Sequence, residues 1–337
     1  MKNRSQLVLE WYCIHQRILP WRENKNPYYI WISEIMLQQT KVETVKPYFK
    51  RFIQQLPTLL DLANCHEDDL MKLWQGLGYY RRVLNMQKAA ILCVKEYDGK
   101  LPNNYQQLLT LPGIGNYTAG AIASIAYNEE VYAIDGNVLR IYSRLHDLHE
   151  DIMALKTKKI IEQYVSEDMN NQMGDYNQAL MDIGATICTP LSPKCKDCPI
   201  SSTCLAYKQN TVQLLPIKKR KKKASEHTYT IIIHQYKDKV LLHRRDKDGL
   251  LANLYEFETI KEEMVLSEPY ISLGSYKHIF SHQIWNMQGY LVEHDYEIEK
   301  EDFFWVTYQE MIDKYSIPGA FLPFVQRITE RREKHAT

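Results

Sequence analysis

Six consecutive cations, Lys218-Lys219-Arg220-Lys221-Lys222-Lys223, separate two parts of this chain that follow different hydrophobic periods. A run of like charge has no apolar face to bury, so it is expected to be a solvated linker. It could also pass a phosphate backbone, or serve as a nuclear signal in a eukaryotic source. Before it, apolar residues recur at helical spacing, as in Val138, Ile141, Tyr142, Leu145 and in Tyr176, Leu180, Ile183, Ile187. After it come short alternating runs at Tyr229–His234, Val240–Arg245 and Ile284–Val292, with turn residues between the first two, then a helical stretch over Thr307–Tyr315. At 337 residues there is room for more than one core. The expectation is a multidomain α plus α/β chain: an all-helical domain over 1–217, a basic linker over 218–227, and an α+β domain over 228–337.

Composition excludes several classes. No run of 18 apolar residues exists, so no membrane span is expected. The charged N-terminus, MKNRSQLVLEWYCIHQR, lacks the apolar core of a signal peptide. Seven cysteines with four clustered late read as metal ligands in a reducing compartment, and the chain is expected to be intracellular. Residues 1–217 carry 23 basic and 22 acidic side chains, and residues 226–337 carry 13 basic and 19 acidic. A general polyelectrolyte binder would be more basic, so any nucleic-acid contact must rely on local geometry.

Residues 4–19 read as a first helix, broken at Leu19-Pro20-Trp21-Arg22. Asn26-Pro27 then supplies an N-cap and a first-position proline for a helix running to Thr40. Glu34 is the only charge between Lys25 and Lys41, and its helix is apolar nearly all round. Such a helix is buried, and burial raises a carboxyl pKa toward the range of a general acid. A buried structural Glu paired with an Arg would look the same.

Leu111-Pro112-Gly113-Ile114-Gly115 is a tight turn leading into a helical run, with glycines that leave backbone N–H groups open at the helix N-terminus. Such a turn suits a phosphate, or is simply a capped bend between helices. Asp135, in Ile134-Asp135-Gly136-Asn137, precedes a second helical run and could be only an N-cap. Cys188, Cys195, Cys198 and Cys204 are spaced C-x6-C-x2-C-x5-C. Four thiolates in so short a loop suit zinc or an iron–sulfur cluster. Cys13, Cys65 and Cys93 are scattered, as core cysteines are.

Taken as a pair, LPGIGNYTA and IDGNVLR resemble the helix-hairpin-helix and catalytic aspartate of the endonuclease III superfamily of DNA glycosylases. IWISEIMLQQTKVETV resembles the acid-bearing helix of MutY-type adenine DNA glycosylases, and the resemblance covers essentially residues 1–325. It implies a helical glycosylase domain with its hairpin at 111–119, a [4Fe–4S] loop at 188–204 and a Nudix-like C-terminal domain. Glu34 would be the acid and Asp135 the charge facing the sugar, with Tyr117 and Asn137 orienting them and Trp21 and Arg22 lining the pocket. Gln39, Thr40, Leu77, Tyr79, Gly113 and Gly115 would touch DNA. Phe280-Ser281-His282 matches the loop that reads 8-oxoguanine in this family.

The implied partner is duplex DNA carrying adenine opposite 8-oxoguanine or guanine, engaged by a monomer. The implied location is the bacterial cytoplasm at the nucleoid, or the nucleus in a eukaryote. The Nudix hydrolase signature is missing, so the Nudix-like domain is expected to bind without hydrolysing. One feature departs from the family pattern: Tyr255 and Glu258-Thr259 replace the usual Trp and Pro-Gly. A bifunctional lyase would need a lysine in the hairpin, where this chain has Tyr117. A non-catalytic iron–sulfur scaffold would have no need of Glu34 and Asp135 together.

Overall fold

A computed structural model describes residues 3–219, 223–264 and 269–335. Part of the basic run, residues 220–222, lies outside them. The chain forms two compact units, residues 1–64 with 85–220 and residues 65–84 with 221–337. No helix of the described residues is long and apolar enough to cross a membrane.

The first unit is helical. Its core joins the Arg4–His15, Gly136–Leu145, Leu155–Glu167 and Met173–Thr186 helices around Val8, Tyr12, Ile141, Tyr142, Tyr176 and Ile183. Both helical stripes expected from the sequence are buried in full. Each such side chain contributes roughly 1.5–3 kcal/mol by leaving water. The Pro27–Leu37 helix packs on the Asn116–Tyr127 helix, which packs in turn on Met173–Thr186.

Two helices are shorter than their apolar pattern suggests. The first ends at His15, leaving Ile14 and Ile18 exposed. Its end is set from afar, because the Arg17 backbone N–H and Nε donate to Asp182 at 3.0 and 2.6 Å and draw the chain out of the helix. The Pro27–Leu37 helix stops before Gln38, and Gln39 takes a left-handed φ of 61° that a residue with a side chain rarely adopts.

The C-terminal part is α+β, as expected. Strands β1 (Ser225–Tyr236), β2 (Lys239–Arg244), β3 (Tyr255–Glu256), β4 (Glu258–Ile260), β5 (Ile271–Ile279), β6 (Gln283–Glu293) and β7 (Phe303–Thr307) form one sheet. Its order is β3-β2-β1-β6-β5, with β4 also on β1 and β7 also on β2. The β1–β6 pair is parallel from Ser225–Gln283 to Gln235–Glu293, and β5 and β6 are antiparallel. Tyr308–Asp313 and Leu322–His335 are helical, and Phe321, Phe324 and Ile328 join Trp285, Met287 and Leu291 in the core. Three expected strands and the Tyr308–Asp313 helix are present. The sequence pattern did not point to β3, β4, β5, β7 or the last helix.

Candidate active site

Glu34 sits on the Pro27–Leu37 helix, started by Pro27 and capped by Asn26 Oδ1, which accepts from Tyr28 N at 2.9 Å. It is 5% exposed and takes a hydrogen bond on Oε2 from the hydroxyl of Tyr117, in the first turn of the Asn116–Tyr127 helix. Burial pushes the Glu34 carboxyl from 4.5 up to about 7. The Tyr117 bond and the charge of Arg22 pull it down, and Asp135 pushes it further up. Burial beside Glu34 and Asp135 raises the Tyr117 hydroxyl well above its ordinary value, so it stays a protonated donor.

Asp135 caps the Gly136–Leu145 helix, and its charge also acts on Glu34. Its Oδ1 accepts from Asn137 N and Val138 N at 2.8 Å each, and its Oδ2 from Asn137 Nδ2 at 2.6 Å. Burial raises its pKa, opposed by these three donors and by the charge of Arg140. A carboxylate given three N–H donors is stabilised in its charged form.

Three residues supporting the site were not singled out from sequence. Arg140 Nη2 donates to Asn137 Oδ1 and to Gly184 O at 2.8 Å each, and its Nε donates to Cys188 O at 2.7 Å. A Cβ on Gly184 would stand 2.5 Å from Asn137 Cβ, so only glycine leaves Asn137 its place. Asp182, fully buried, takes Arg22 through both oxygens at 2.8 and 3.0 Å as well as Arg17. Arg22 is therefore a partner of Asp182 that acts on Glu34 through its charge. Trp21 is buried edge-on against Phe49. The only sequence signal for these contacts was Arg140 standing three residues after Asn137.

The hairpin has the expected form. Gly113 has φ 79° and passes close to Asn85, Gly115 is the N-cap of the Asn116–Tyr127 helix, and both glycines are exposed. The first-turn N–H groups of that helix have no carbonyl one turn earlier to bond. Gln39 is exposed, and Thr40 is half-buried.

In the second unit, Gly76, Gly78 and Tyr79 all have positive φ. Trp74 Nε1 and Arg82 Nη2 both donate to Gly78 O at 3.1 Å, leaving Leu77 buried and Tyr79 about half exposed. Phe280, Ser281 and His282 form the β5–β6 turn. Ser281 and His282 are exposed and 3.3 Å apart at Oγ and Nδ1, while Phe280 packs 4.9 Å from Trp285.

Cys188, Cys195, Cys198 and Cys204 are free thiols lining one small cavity with Ile141, Ile187 and Ile200. Arg144 Nη1 lies 3.4 Å from Cys188 Sγ, a cation placed where thiolates would gather. This donor set suits a soft metal centre. Among the described residues no three His, Cys, Asp or Glu side chains close onto one metal-binding point. Cys93 is a buried core residue, as expected, whereas Cys13 is exposed and Cys65 half-buried.

A family model described as "HhH-GPD superfamily base excision DNA repair protein" matches residues 32–167, and a NUDIX domain model matches 228–327. A thermostable thymine-DNA glycosylase aligns at TM-score 0.56 and 27% identity, over 61% of this chain and 95% of its own. Endonuclease III in a DNA complex shares the fold at TM-score 0.51 and 21% identity, over 62% and 99%. The fold and site thus define a helix-hairpin-helix DNA glycosylase with a Nudix-like domain.

Among curated proteins, the adenine DNA glycosylase of Buchnera aphidicola from Schizaphis graminum is 38% identical over 295 residues, covering 82% of this chain and 84% of its own. The Arabidopsis thaliana enzyme is 36% identical over 77% of this chain and 48% of its own, and the human enzyme 40% over 59% and 38%. The chain belongs to the adenine DNA glycosylase family, hydrolases of base excision repair that remove adenine.

Proposed function

We propose that this enzyme excises adenine paired with 8-oxoguanine or guanine, using Glu34 as general acid and Asp135 as the charge opposing the sugar cation. The observation that carries the reading is the buried Glu34 carboxyl, held near pKa 7 beside Asp135 and bonded by Tyr117. Adenine leaves poorly as an anion, so the acid would protonate it at N7 while the glycosidic bond stretches. With the Tyr117 hydroxyl donating to Oε2, the acid proton belongs on Oε1. The oxocarbenium-like sugar then faces Asp135, whose three N–H donors favour its charged form against the burial that raises its pKa, and aim it. Asn137 fixes that aim, and Glu34, once deprotonated, can activate water.

Gln39, Thr40 and Leu77 are proposed as DNA contacts. Gly113 and Gly115 would admit a phosphate to the helix N-terminus. Tyr79 would occupy the base stack once adenine is flipped out. Phe280-Ser281-His282 would read the N7 hydrogen and O8 of 8-oxoguanine. In this reading residues 1–217 are the glycosylase domain and the C-terminal domain is the lesion reader, in a monomer working where the chromosome is. The expected linker ends before Ser225 and not at 227, because Ser225–His227 already pair in β1 with β6. Cys188, Cys195, Cys198 and Cys204 would hold one [4Fe–4S] cluster, which would brace this loop as a covalent staple. Iron and sulfide analysis should then give about four irons per chain, and stoichiometric zinc without iron would refute the cluster. The test of the function is excision from duplexes carrying A opposite 8-oxoguanine, A opposite G, and thymine glycol. The first two should be cut to free adenine, and activity on thymine glycol alone would reject the reading.

A further inference from the structure

Residues 65–84 belong to the same compact unit as the C-terminal sheet, although they are far from it in sequence. Two side-chain donors at the end of the Glu67–Trp74 helix make the attachment. Lys72 Nζ donates to Tyr315 O at 3.0 Å, and Gln75 Nε2 to Ile317 O at 2.9 Å. At the start of that helix, Tyr255 Oη donates to Asp68 Oδ1 at 3.2 Å, and Arg244 Nη2 pairs with Glu67 at 3.1 Å. The Tyr255 backbone N–H donates to Ser316 O at 3.1 Å, so both attachments meet at residues 315–317. Tyr255 is one of the positions where the sequence departs from the expected Trp, and an indole has no hydroxyl to give Asp68.

The same segment continues to the lesion-reading turn. Phe321 N donates to Pro318 O at 2.9 Å, the Phe321 ring lies 6.3 Å from that of Trp285 in one core with Ile317, and Trp285 packs 4.9 Å from Phe280. In the other direction, Gln75 opens the loop that Gly76, Gly78, Trp74 and Arg82 lock around Tyr79. An unbroken series of packed or bonded groups therefore joins Tyr79 to Phe280.

We propose that Gln75 and Lys72 are positioning residues that set specificity. They fasten the Tyr79 loop to the segment that buttresses the Phe280–His282 turn, so that the stacking probe and the lesion reader meet DNA as one body. The inference rests on the roles given to Tyr79 and to Phe280-Ser281-His282 above. A reader fastened in this way transmits its contact with 8-oxoguanine to the stack, and an unfastened one does not.

The test is single-turnover excision of adenine opposite 8-oxoguanine and opposite guanine by the full-length chain. The variants are Gln75→Leu, Lys72→Met, the Ser281→Ala/His282→Ala pair, and that pair combined with Gln75→Leu. Gln75→Leu is expected to lower the 8-oxoguanine-to-guanine rate ratio about three- to tenfold, the range set by one lost hydrogen bond, with the rate opposite guanine held within about twofold. Added to the Ser281/His282 pair, it should cost no further discrimination, because residues acting through one another are not additive. Lys72→Met gives a second reading one turn earlier, and it strands only a neutral carbonyl, so folding is not at stake. If Gln75→Leu and Lys72→Met keep the parental ratio while the Ser281/His282 pair loses it, the coupling is overturned and the lesion reader stands. If the pair keeps its ratio, the lesion reader falls and the coupling with it. Fully additive losses also overturn the coupling, since turn and loop would then act separately.

Discussion

In the proposed function the two carboxylates and the β5–β6 turn share one task, setting a few polar atoms against a nucleotide, and they are built in contrasting ways. Glu34 is buried in an apolar helix and Asp135 accepts three N–H bonds, with Arg140, Asn137 and Gly184 fixing the second carboxylate in place. Ser281 and His282 stand in solvent on a hairpin, bonded to one another and anchored through Phe280. Burial shifts pKa values and suits chemistry, which needs a group in an unusual protonation state. Exposure leaves donors and acceptors free to exchange water for a base edge, which suits reading. Changes in the first region should therefore alter rate and titration, and changes in the second should alter only the choice of partner.

The largest effect is expected from Asp135→Asn, which keeps most of the hydrogen-bond geometry and deletes the charge. Excision should fall by about 10³ with duplex binding retained. A parental excision rate would remove Asp135 from the chemistry.

Glu34→Gln should also bind without cutting, and it carries a second readout in stability. The folded-state pKa of about 7 lies above the ordinary 4.5, so the folded chain holds this proton more tightly than the unfolded chain. The stability this proton contributes is complete below about pH 4.5 and is lost as the pH rises through 7, a difference of roughly 3 kcal/mol. Glu34→Gln should raise the melting temperature at pH 8 and change it little at pH 4.5. An unchanged melting temperature at pH 8 would show that Glu34 is not paying for its burial.

Ser281→Ala with His282→Ala should cut the preference for 8-oxoguanine over guanine by roughly tenfold, at the scale of one good base-edge contact. If the same variant instead shifts the pH profile of excision, the proposed separation between reading and chemistry fails. The smallest expected effect belongs to Tyr117→Phe. Its bond holds the Glu34 pKa down, so losing it should move the alkaline fall in rate to higher pH with little loss at pH 6. A fall that stays in place would mean another group controls it.

The burial of Glu34 was legible because its helix is apolar nearly all round, and the capping place of Asp135 because the cap and its helix lie within one short stretch. Their supports were not legible, since Asp182 meets Arg17 and Arg22 across the length of the helical domain and Gly184 meets Asn137 from another helix. Neither contact leaves a local pattern. Helix ends failed for the same reason, with the first helix cut short by Asp182 where its apolar residues would have carried it on. In the second part of the chain β1, β2 and β6 announced themselves by alternation, whereas the nine-residue β5 did not, its run interrupted by Gly274 with φ 89° at a register shift. β3 and β4, at two and three residues, are too short to show a period. The grouping of residues 65–84 with the C-terminal sheet depends on Lys72 and Gln75 bonding backbone carbonyls, which any sequence would offer.

Gly184 carries a consequence for natural variation in this gene. An alanine there would add one methyl group, no charge and no loss of helix-forming tendency, and by composition alone it would pass as silent. The methyl would fall on Asn137, and the displaced amide is the one that holds Asp135 Oδ2. Under the proposed function, carriers of such an allele would leave adenine in place. Their mark, if the proposed pairing with 8-oxoguanine holds, would be a raised rate of G-to-T transversion.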